Sequence, residues 1–491
     1  MAMPVRTEDD PEAAECCPLL FQVFLALVFL APLPLGGNRP WAWGALEIGV
    51  FLLFGLGYWR AARMESIDDA FATHYRMPAL LWLLWSLYPL AQATPLPEPL
   101  LGLLSRSTLE LRVLTGWEDP SGPISLDRHE TLQAWLKGMA YCGAFWLTLA
   151  WTTSQQRLKW LMLTVVGSGV FQALYGLLMV RNDPNWTVSG TYVNRNHLAG
   201  LLEMTIPMGI GLMIGWMKSR RSANDEKRLL DWIAEWLRTA SGRRGILSVV
   251  LVVMLLALFL TQSRAGNACL LLALVVVTLL ARWREGEFSL SREKRLVAPL
   301  LAISVMIGAW YGLGHLTGRL LQTNLHGEGR LMISLRSLAI VKDYYWFGSG
   351  AGTFGWIYPR YAGEESAVTF LDHAHNDHVE ILVEQGVVGY GLLAGILIYC
   401  WIFILQGYMR RRDPFMRGVT FGSLVATLAL SLHALFDFNF QIPANALYFV
   451  VVLAMGMRAS VLPARRSALS AYYNTGAISR SARQGGTDNE H

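Results

Sequence analysis

The densest cluster of ionisable side chains in the chain is the stretch Asp372-His-Ala-His-Asn-Asp-His378. Imidazole changes its charge near neutral pH, so a histidine can take a proton from a reacting hydroxyl or, when neutral, bind a metal ion. A carboxylate beside the ring can hold it in one orientation. The stretch therefore predicts either general-base chemistry or a metal site at His373, His375 or His378.

The metal alternative rests on the H-x-H-x-D-H spacing that begins at His373, which is that of the zinc motif of metallo-β-lactamase-like hydrolases. Those enzymes are soluble and take further ligands from later loops. Here an apolar segment follows at once, and His433 and Asp437 are the remaining candidates for later ligands. We therefore expect no metal at this cluster.

A second kind of candidate is an arginine held close to an apolar segment. Arg264 lies in Ser263-Arg-Ala-Gly266, a short connection between two apolar stretches. A charge at that depth needs a partner or a water-filled cavity, and the simpler alternative is an arginine that extends to the lipid phosphates.

Other polar residues lie at similar borders. The stretch Asn194-Arg-Asn-His197 ends where an apolar segment begins, and Arg330 and Arg336 precede the glycine-rich stretch Phe347–Phe354. Glycines allow backbone N–H groups to approach an anion. The pattern indicates an anionic ligand only weakly, because glycine turns are common.

The elements that carry these residues are those of a membrane protein. The chain has 491 residues, of which 53% are hydrophobic and 16% charged, whereas soluble domains carry about a quarter charged residues. We predict an all-α polytopic fold of about twelve transmembrane helices, since each crossing takes about 20 apolar residues. The predicted spans are 18–36, 41–59, 77–95, 133–152, 160–180, 198–217, 246–262, 267–281, 296–316, 379–408, 418–436 and 444–462.

The positions of lysine and arginine predict the orientation. If the N-terminus is cytoplasmic, roughly two-thirds of these residues lie in loops on the cytoplasmic side. This is the expected arrangement, because positively charged loops tend to stay in the cytoplasm. Both termini are then cytoplasmic, in an inner membrane, and the formal charge of +5 is expected to meet anionic lipid headgroups rather than nucleic acid.

This topology gives one membrane-embedded domain, 18–462, between cytoplasmic tails at 1–17 and 463–491, the second of which has a composition typical of disorder. The periplasmic side receives 96–131, 181–197 and a long loop, 317–378, before the tenth helix. Function is expected on that side.

A set of motifs, in order along the chain, resembles the bacterial O-antigen ligase and polysaccharide polymerase superfamily. His375-Asn376, followed by Gly386 and Gly389, is similar to its H-N-x9-G-x-x-G pattern. The other similar blocks are Gly190–Glu203, Ser263–Gly266, Gly329-Arg330 ahead of Phe347–Phe354, and Asp437–Asn445, so that the resemblance covers about 185–450.

The resemblance implies a membrane glycosyltransferase that takes a glycan from an undecaprenyl-diphosphate carrier on the periplasmic face. No cofactor or metal is expected, because fixed arginines can stabilise the departing diphosphate. The acceptor is lipid A-core for a ligase and another glycan for a polymerase, and these residues do not distinguish the two. A lipid-linked glycan transporter is the alternative of another class; the gathering of polar residues at one face, rather than at mid-membrane, favours an enzyme.

Roles follow from the chemistry of that donor. His375 is expected to be the base, in an inverting transfer, and the forks of Arg264 and Arg330 to stabilise the departing diphosphate. Ser334 stands where the family often has Trp, so Arg336 is the alternative to Arg330. Residues expected to bind substrate are Arg195, Asn194, His197, Arg336 and Asn376, and those expected to support them are Asp372, Asp377 and Asp437. His373 and His378 are left with either a structural or a supporting role.

Overall fold

The computed structural model describes residues 18–63, 69–116, 119, 121–180, 186–216, 242–285, 323–362 and 371–463. The predicted N-terminal tail, 1–17, the predicted span 296–316, and all but the first residue of the predicted C-terminal tail, 463–491, lie outside the described residues. Within them the chain forms helices and no strand, with one isolated β-bridge between Leu96 and Gly122. The all-helical class predicted from the sequence is therefore confirmed.

The helices are numbered here in chain order. They are α1 (Pro18–Leu30), α2 (Pro40–Arg63), α3 (Asp69–Ala93), α4 (Glu98–Leu104), α5 (Arg106–Leu114), α6 (Arg128–Trp151), α7 (Gln155–Met179), α8 (Arg195–Trp216), α9 (Arg243–Leu260), α10 (Arg264–Glu285), α11 (Thr323–Asp343), α12 (Phe354–Ile357), α13 (Asp377–Arg410), α14 (Pro414–His433) and α15 (Pro443–Val461). Short 3-10 helices lie at Leu35–Gly37 and Tyr358–Arg360.

Several helices begin at a short polar side chain that accepts backbone N–H groups of the first turn. Asp127 caps α6, Ser154 caps α7 and Asp413 caps α14, where Pro414 occupies the first helical position. The first turn of a helix leaves these N–H groups without helical partners, so such caps fix where each helix begins.

Six described helices are long and apolar enough to cross a bilayer, namely α2, α7, α8, α13, α14 and α15. Shorter apolar helices lie in α1, α9 and α10. The predicted segments 77–95 and 133–152 correspond to α3 and α6, which are helical but not among the six. The chain is thus a multi-pass membrane protein, and the count of about twelve spans stays a prediction.

Three helices form the centre of the described bundle. Of the most apolar stretch of α8, 89% is buried, and the corresponding share is 83% for α14 and for α15. Gly211 of α8 and Gly418 of α14 face each other so closely that a Cβ on either would meet the other's carbonyl group. Small residues allow backbones to approach in this way within membranes, where tight packing drives helix association.

The described residues of the expected long loop, 323–362 and 371–376, include α11 and α12, so this loop is partly helical. They pack on α13 as a layer with a small core of its own, which includes Ile340, Tyr344 and Phe354 and reaches Val383 of α13. Helix α13 breaks at Gly386, whose φ of +62° is in the left-handed region. A Cβ there would meet the carbonyl group of Trp346, so glycine is required where this layer crosses α13.

Candidate active site

The candidate site begins in the turn before α13. His375 has a φ of +52°, in a region that is uncommon for residues other than glycine. The next residue, Asn376, caps the helix, because its Oδ1 accepts the backbone N–H of Val379 at 3.2 Å. Strained backbone of this kind clusters at functional sites, which makes the turn a candidate for one.

Asp377 fastens this turn to the connection between α14 and α15. Its side chain is fully buried, its backbone N–H donates to Ala434 O and its Oδ2 accepts from Phe440 N, each at 2.9 Å. Asp377 was expected to support the histidine, but its carboxylate serves the backbone of the neighbouring turn instead. This contact brings the 434–440 segment beside His375.

Asp437 is the carboxylate that meets His375. Its Oδ1 lies 3.4 Å from Nδ1 of His375, and its Oδ2 accepts from Nδ2 of Asn196 at 2.6 Å. The Asp437 side chain is 1% exposed, whereas 24% of the His375 side chain is exposed. The third carboxylate expected to support the histidine, Asp372, is exposed. The imidazole therefore has one edge on a buried carboxylate and remains accessible from outside.

Three imidazole rings surround Phe438. His373 stacks on it with the ring centroids 4.5 Å apart, and His375 and His197 approach it edge-on at 4.9 and 4.7 Å. The phenyl ring thus fixes the relative positions of His373 and His375.

His373 forms a second pair of imidazole and carboxylate. Its Nδ1 lies 2.9 Å from Oε1 of the buried Glu380, whose Oε2 accepts the N–H of Ala374 at 2.7 Å. Burial of the ring lowers the pKa of His373, but Glu380, Glu384 and Asp372 outweigh it, so that the pKa is raised above its ordinary value.

His378 differs from its two neighbours because both of its ring nitrogens are engaged within the protein. Nδ1 lies 3.1 Å from the Tyr390 hydroxyl and Nε2 lies 2.9 Å from Ser431 O. These contacts join the first turns of α13 to α14, which gives His378 a structural position.

Residues at the beginning of α8 pack beside the site. Asn194 Oδ1 accepts the N–H of Asn196 at 2.9 Å, and Asn445 of α15 donates to the backbone oxygen of His197 at 2.9 Å. His197, expected to bind substrate, is 3% exposed, with Nε2 3.9 Å from Asp437 Oδ1. Its position behind Asp437 and Phe438 fits support of the site rather than contact with substrate.

The arginines lie on three different elements. Arg264 is exposed at the start of α10, and Arg195 is half-buried at the start of α8. Arg330 and Arg336 both lie within α11, where Arg336 is half-buried and the side chain of Arg330 is outside the description. Six residues apart on a helix, they face directions that differ by about 120°, so they cannot serve the same site equally.

The glycine-rich stretch does not offer its N–H groups to an external anion. Ser349 N donates to Val383 O and Gly350 N to Glu384 O, each at 2.9 Å, and Phe354 N donates to the Glu384 carboxylate at 3.1 Å. These three N–H groups therefore do not form the anion site that the glycines indicate weakly, because backbone oxygens of α13 and the Glu384 carboxylate already accept them.

No described group of three or more His, Cys, Asp or Glu side chains is placed to hold a metal ion. The members of the H-x-H-x-D-H string diverge, since His373 turns to Glu380, Asp377 to Phe440 and His378 to Ser431. The geometry does not fit the zinc alternative.

A further ionisable pair lies within the bundle. Nδ1 of His433, on α14, is 2.7 Å from Oε1 of Glu203, on α8, and both side chains are fully buried. A Cβ on Gly266 would meet this Glu203 oxygen, so the pair also adjoins the start of α10. The sequence motifs do not single out this pair, although a carboxylate within an apolar helix is itself a signal of function.

The fold and the site define a class, a multi-pass membrane protein with imidazole and carboxylate groups gathered where three of its helices begin or end. The model of the O-antigen ligase family matches residues 249–394, a stretch that includes Arg264, Arg330, Arg336 and His375. This match covers less than a third of the chain, and it confirms the resemblance to the O-antigen ligase superfamily that the sequence motifs indicate. No curated protein matches the chain.

The family contains membrane glycosyltransferases of the ligase and polymerase type. Two of the motif blocks, Gly190–Glu203 and Asp437–Asn445, lie outside the matched residues. Asp437 of the second block nevertheless meets His375, and Asn196 of the first block donates to Asp437.

Proposed function

We propose that the protein is an O-antigen ligase that transfers a glycan from an undecaprenyl-diphosphate carrier to a sugar hydroxyl of lipid A-core. The observation that carries the proposal is the accessible His375 ring on the buried Asp437 carboxylate, within a domain of the O-antigen ligase family. A repeat-unit polymerase would use the same donor, and the description of the family favours the ligase.

In this proposal His375 is the general base. A hydrogen bond from Nδ1–H to Asp437 leaves Nε2 as the acceptor, so it can take the proton of the acceptor hydroxyl. The hydroxyl oxygen then forms a bond to the anomeric carbon of the glycan as the bond from that carbon to the phosphate oxygen breaks. A single displacement of this kind inverts the anomeric configuration.

The leaving group is the lipid diphosphate, which departs with the electron pair of the broken bond. Guanidinium groups match phosphate oxygens with two parallel hydrogen bonds, and fixed positive groups stabilise charge that develops in the transition state. Arg264 and Arg330 are assigned this role, with Arg195 and Arg336 as further contacts to the donor.

The site is assigned to the periplasmic face of the inner membrane, with both termini in the cytoplasm. The lysine and arginine distribution of the sequence supports this orientation. A lipid-linked donor would then reach the site from within the bilayer, and the acceptor from the outer leaflet.

The proposal is tested by reconstituting the purified protein in liposomes with a glycan on undecaprenyl diphosphate and with lipid A-core. We expect glycan-bearing lipid A-core to form, with an inverted linkage, in the presence of excess EDTA. Polymerised glycan on the carrier would favour the polymerase. No transfer at all, or transfer lost on chelation and restored by zinc, would overturn the proposal.

A further inference from the structure

Two histidines of the turn before α13 present their rings to one phenyl group, but in different ways. The ring of His375 meets Phe438 edge-on, and its Nδ1 contacts Asp437. The ring of His373 stacks on Phe438, and its Nδ1 contacts Glu380. Both rings lie within 5 Å of Phe438, measured between centroids. A ligand in contact with His375 therefore comes close to His373.

The free edge of His373 is a candidate contact. Within the described part of the chain its one hydrogen bond runs through Nδ1 to Glu380, and 31% of the side chain is exposed. Since the ring nitrogens lie on opposite edges, a bond at Nδ1 leaves Nε2 available to a ligand. His378 has no such edge, because Ser431 O occupies its Nε2.

The charge of the His373 ring determines whether its Nε2 donates or accepts a hydrogen bond. Neutral imidazole with its proton on Nδ1 would offer Nε2 only as an acceptor, whereas the cation donates from both nitrogens. The carboxylates of Glu380, Glu384 and Asp372 act on the ring against the effect of burial, and the raised pKa of His373 favours the cation. The Nε2–H group of that cation suits an anionic oxygen.

We infer that His373 is a donor-binding residue whose Nε2–H group contacts a phosphate oxygen of the lipid-linked substrate, with Glu380 as its positioning residue. The inference rests on the proposed function and divides the two histidines between two tasks. His375 takes the proton of the acceptor, and His373 holds the diphosphate from which the glycan departs.

The test measures binding of undecaprenyl diphosphate, without a glycan, to the purified protein in detergent at neutral pH. The variant His373→Asn keeps an amide near the position of Nδ1 and removes both Nε2 and the charge. A hydrogen bond to a charged group makes a contribution that corresponds to a loss of about ten- to a hundredfold in affinity. His378→Asn is the matched control and should bind within about twofold of wild type, because Nε2 of His378 is occupied inside the protein.

Undecaprenol, which lacks the phosphates, should bind equally to wild type and to His373→Asn. If His373→Asn does not fold, Glu380→Gln provides the test instead. It retains the shape of the carboxylate but removes the charge that favours the cationic form of His373. It should also weaken binding of the diphosphate.

Equal affinity for undecaprenyl diphosphate in wild type and in the folded variants would overturn the inference. So would a loss of kcat in His373→Asn with unchanged donor affinity, because this ring would then act as a base. Wild-type protein that does not bind undecaprenyl diphosphate would instead contradict the proposed function itself.

Discussion

Asp437 Oδ1 lies 3.4 Å from Nδ1 of His375, although 62 residues separate the two in the chain. The contact depends on the turn between α14 and α15, where Asp377 holds Ala434 and Phe440 beside the beginning of α13. The same carboxylate binds Asn196 at the start of α8. The two carboxylate oxygens of the buried Asp437 thus connect three motif blocks that are far apart in the sequence.

Asp437→Asn should lower kcat by about 10²-fold or more, since an amide can donate to Nδ1 and leave the proton of His375 on Nε2, as in other triads. Donor affinity should change little. Steady-state kinetics of the reconstituted enzyme measures both. Asp372→Asn is the control for kcat, because this carboxylate is exposed and acts on His373 rather than on His375, and its kcat should stay within about twofold of wild type. Equal kinetics for Asp437→Asn and wild type would contradict the orienting role.

Arg264→Ala and Arg330→Ala should each lower kcat by about 10²- to 10³-fold, which is usual for removal of one preorganised donor to a developing charge. Lysine at either position should restore part of the rate, since a point charge lacks the fork of the guanidinium. Kinetics with saturating donor gives the comparison. A fully active Arg330→Ala beside an inactive Arg336→Ala would show that Arg336 is the arginine of α11 that serves the site.

Glu203→Ala should destabilise the protein strongly, because removal of one member of a buried pair costs about 3 to 5 kcal/mol. Glu203→Gln should cost less, since its amide oxygen can still accept from Nδ1 of His433. Thermal unfolding in detergent measures the difference between the two variants. If both melt at the temperature of wild type, the pair does not hold α8 and α14 together.

The sequence predicted the helical class, the superfamily and the stretch that contains His375, because apolar length and local motifs are properties of contiguous residues. It did not predict which carboxylate meets the ring. Asp372 and Asp377 are closer along the chain, but helix α13 turns Asp377 toward Phe440. The partner from residue 437 depends on how α8, α14 and α15 pack, and helical periodicity does not fix the register between helices.

The remaining differences have similar causes. Phe347–Phe354 has a glycine pattern that indicates an anion site, but the N–H groups of Ser349, Gly350 and Phe354 donate to residues of α13, a relation that local sequence does not encode. The predicted first span, 18–36, is a helix that ends at Leu30, since Pro32 and Pro34 follow and lack N–H groups. Glu203 and Glu380 were recognisable only as carboxylates near or within apolar stretches.

Reporter fusions should place Arg411 in the cytoplasm and residues 186–197 and 344–362 in the periplasm. The concentration of Lys and Arg in the loops assigned to the cytoplasm is the physical reason. Paired alkaline phosphatase and green fluorescent protein fusions at each position measure the side directly. A periplasmic signal at Arg411 would move the site to the cytoplasmic face and remove the donor assigned to it.

The most direct test of the central claim is the transfer rate of His375→Ala, measured at equal membrane level and equal thermal stability beside wild type. The ring is partly exposed and its removal leaves the helix cap at Asn376 in place, so the variant should fold and should still bind the donor. The account predicts that glycan transfer falls by about 10²-fold or more, the usual scale for loss of a general base. Near-normal transfer by the folded variant would contradict it, and the base would have to be sought elsewhere in the site.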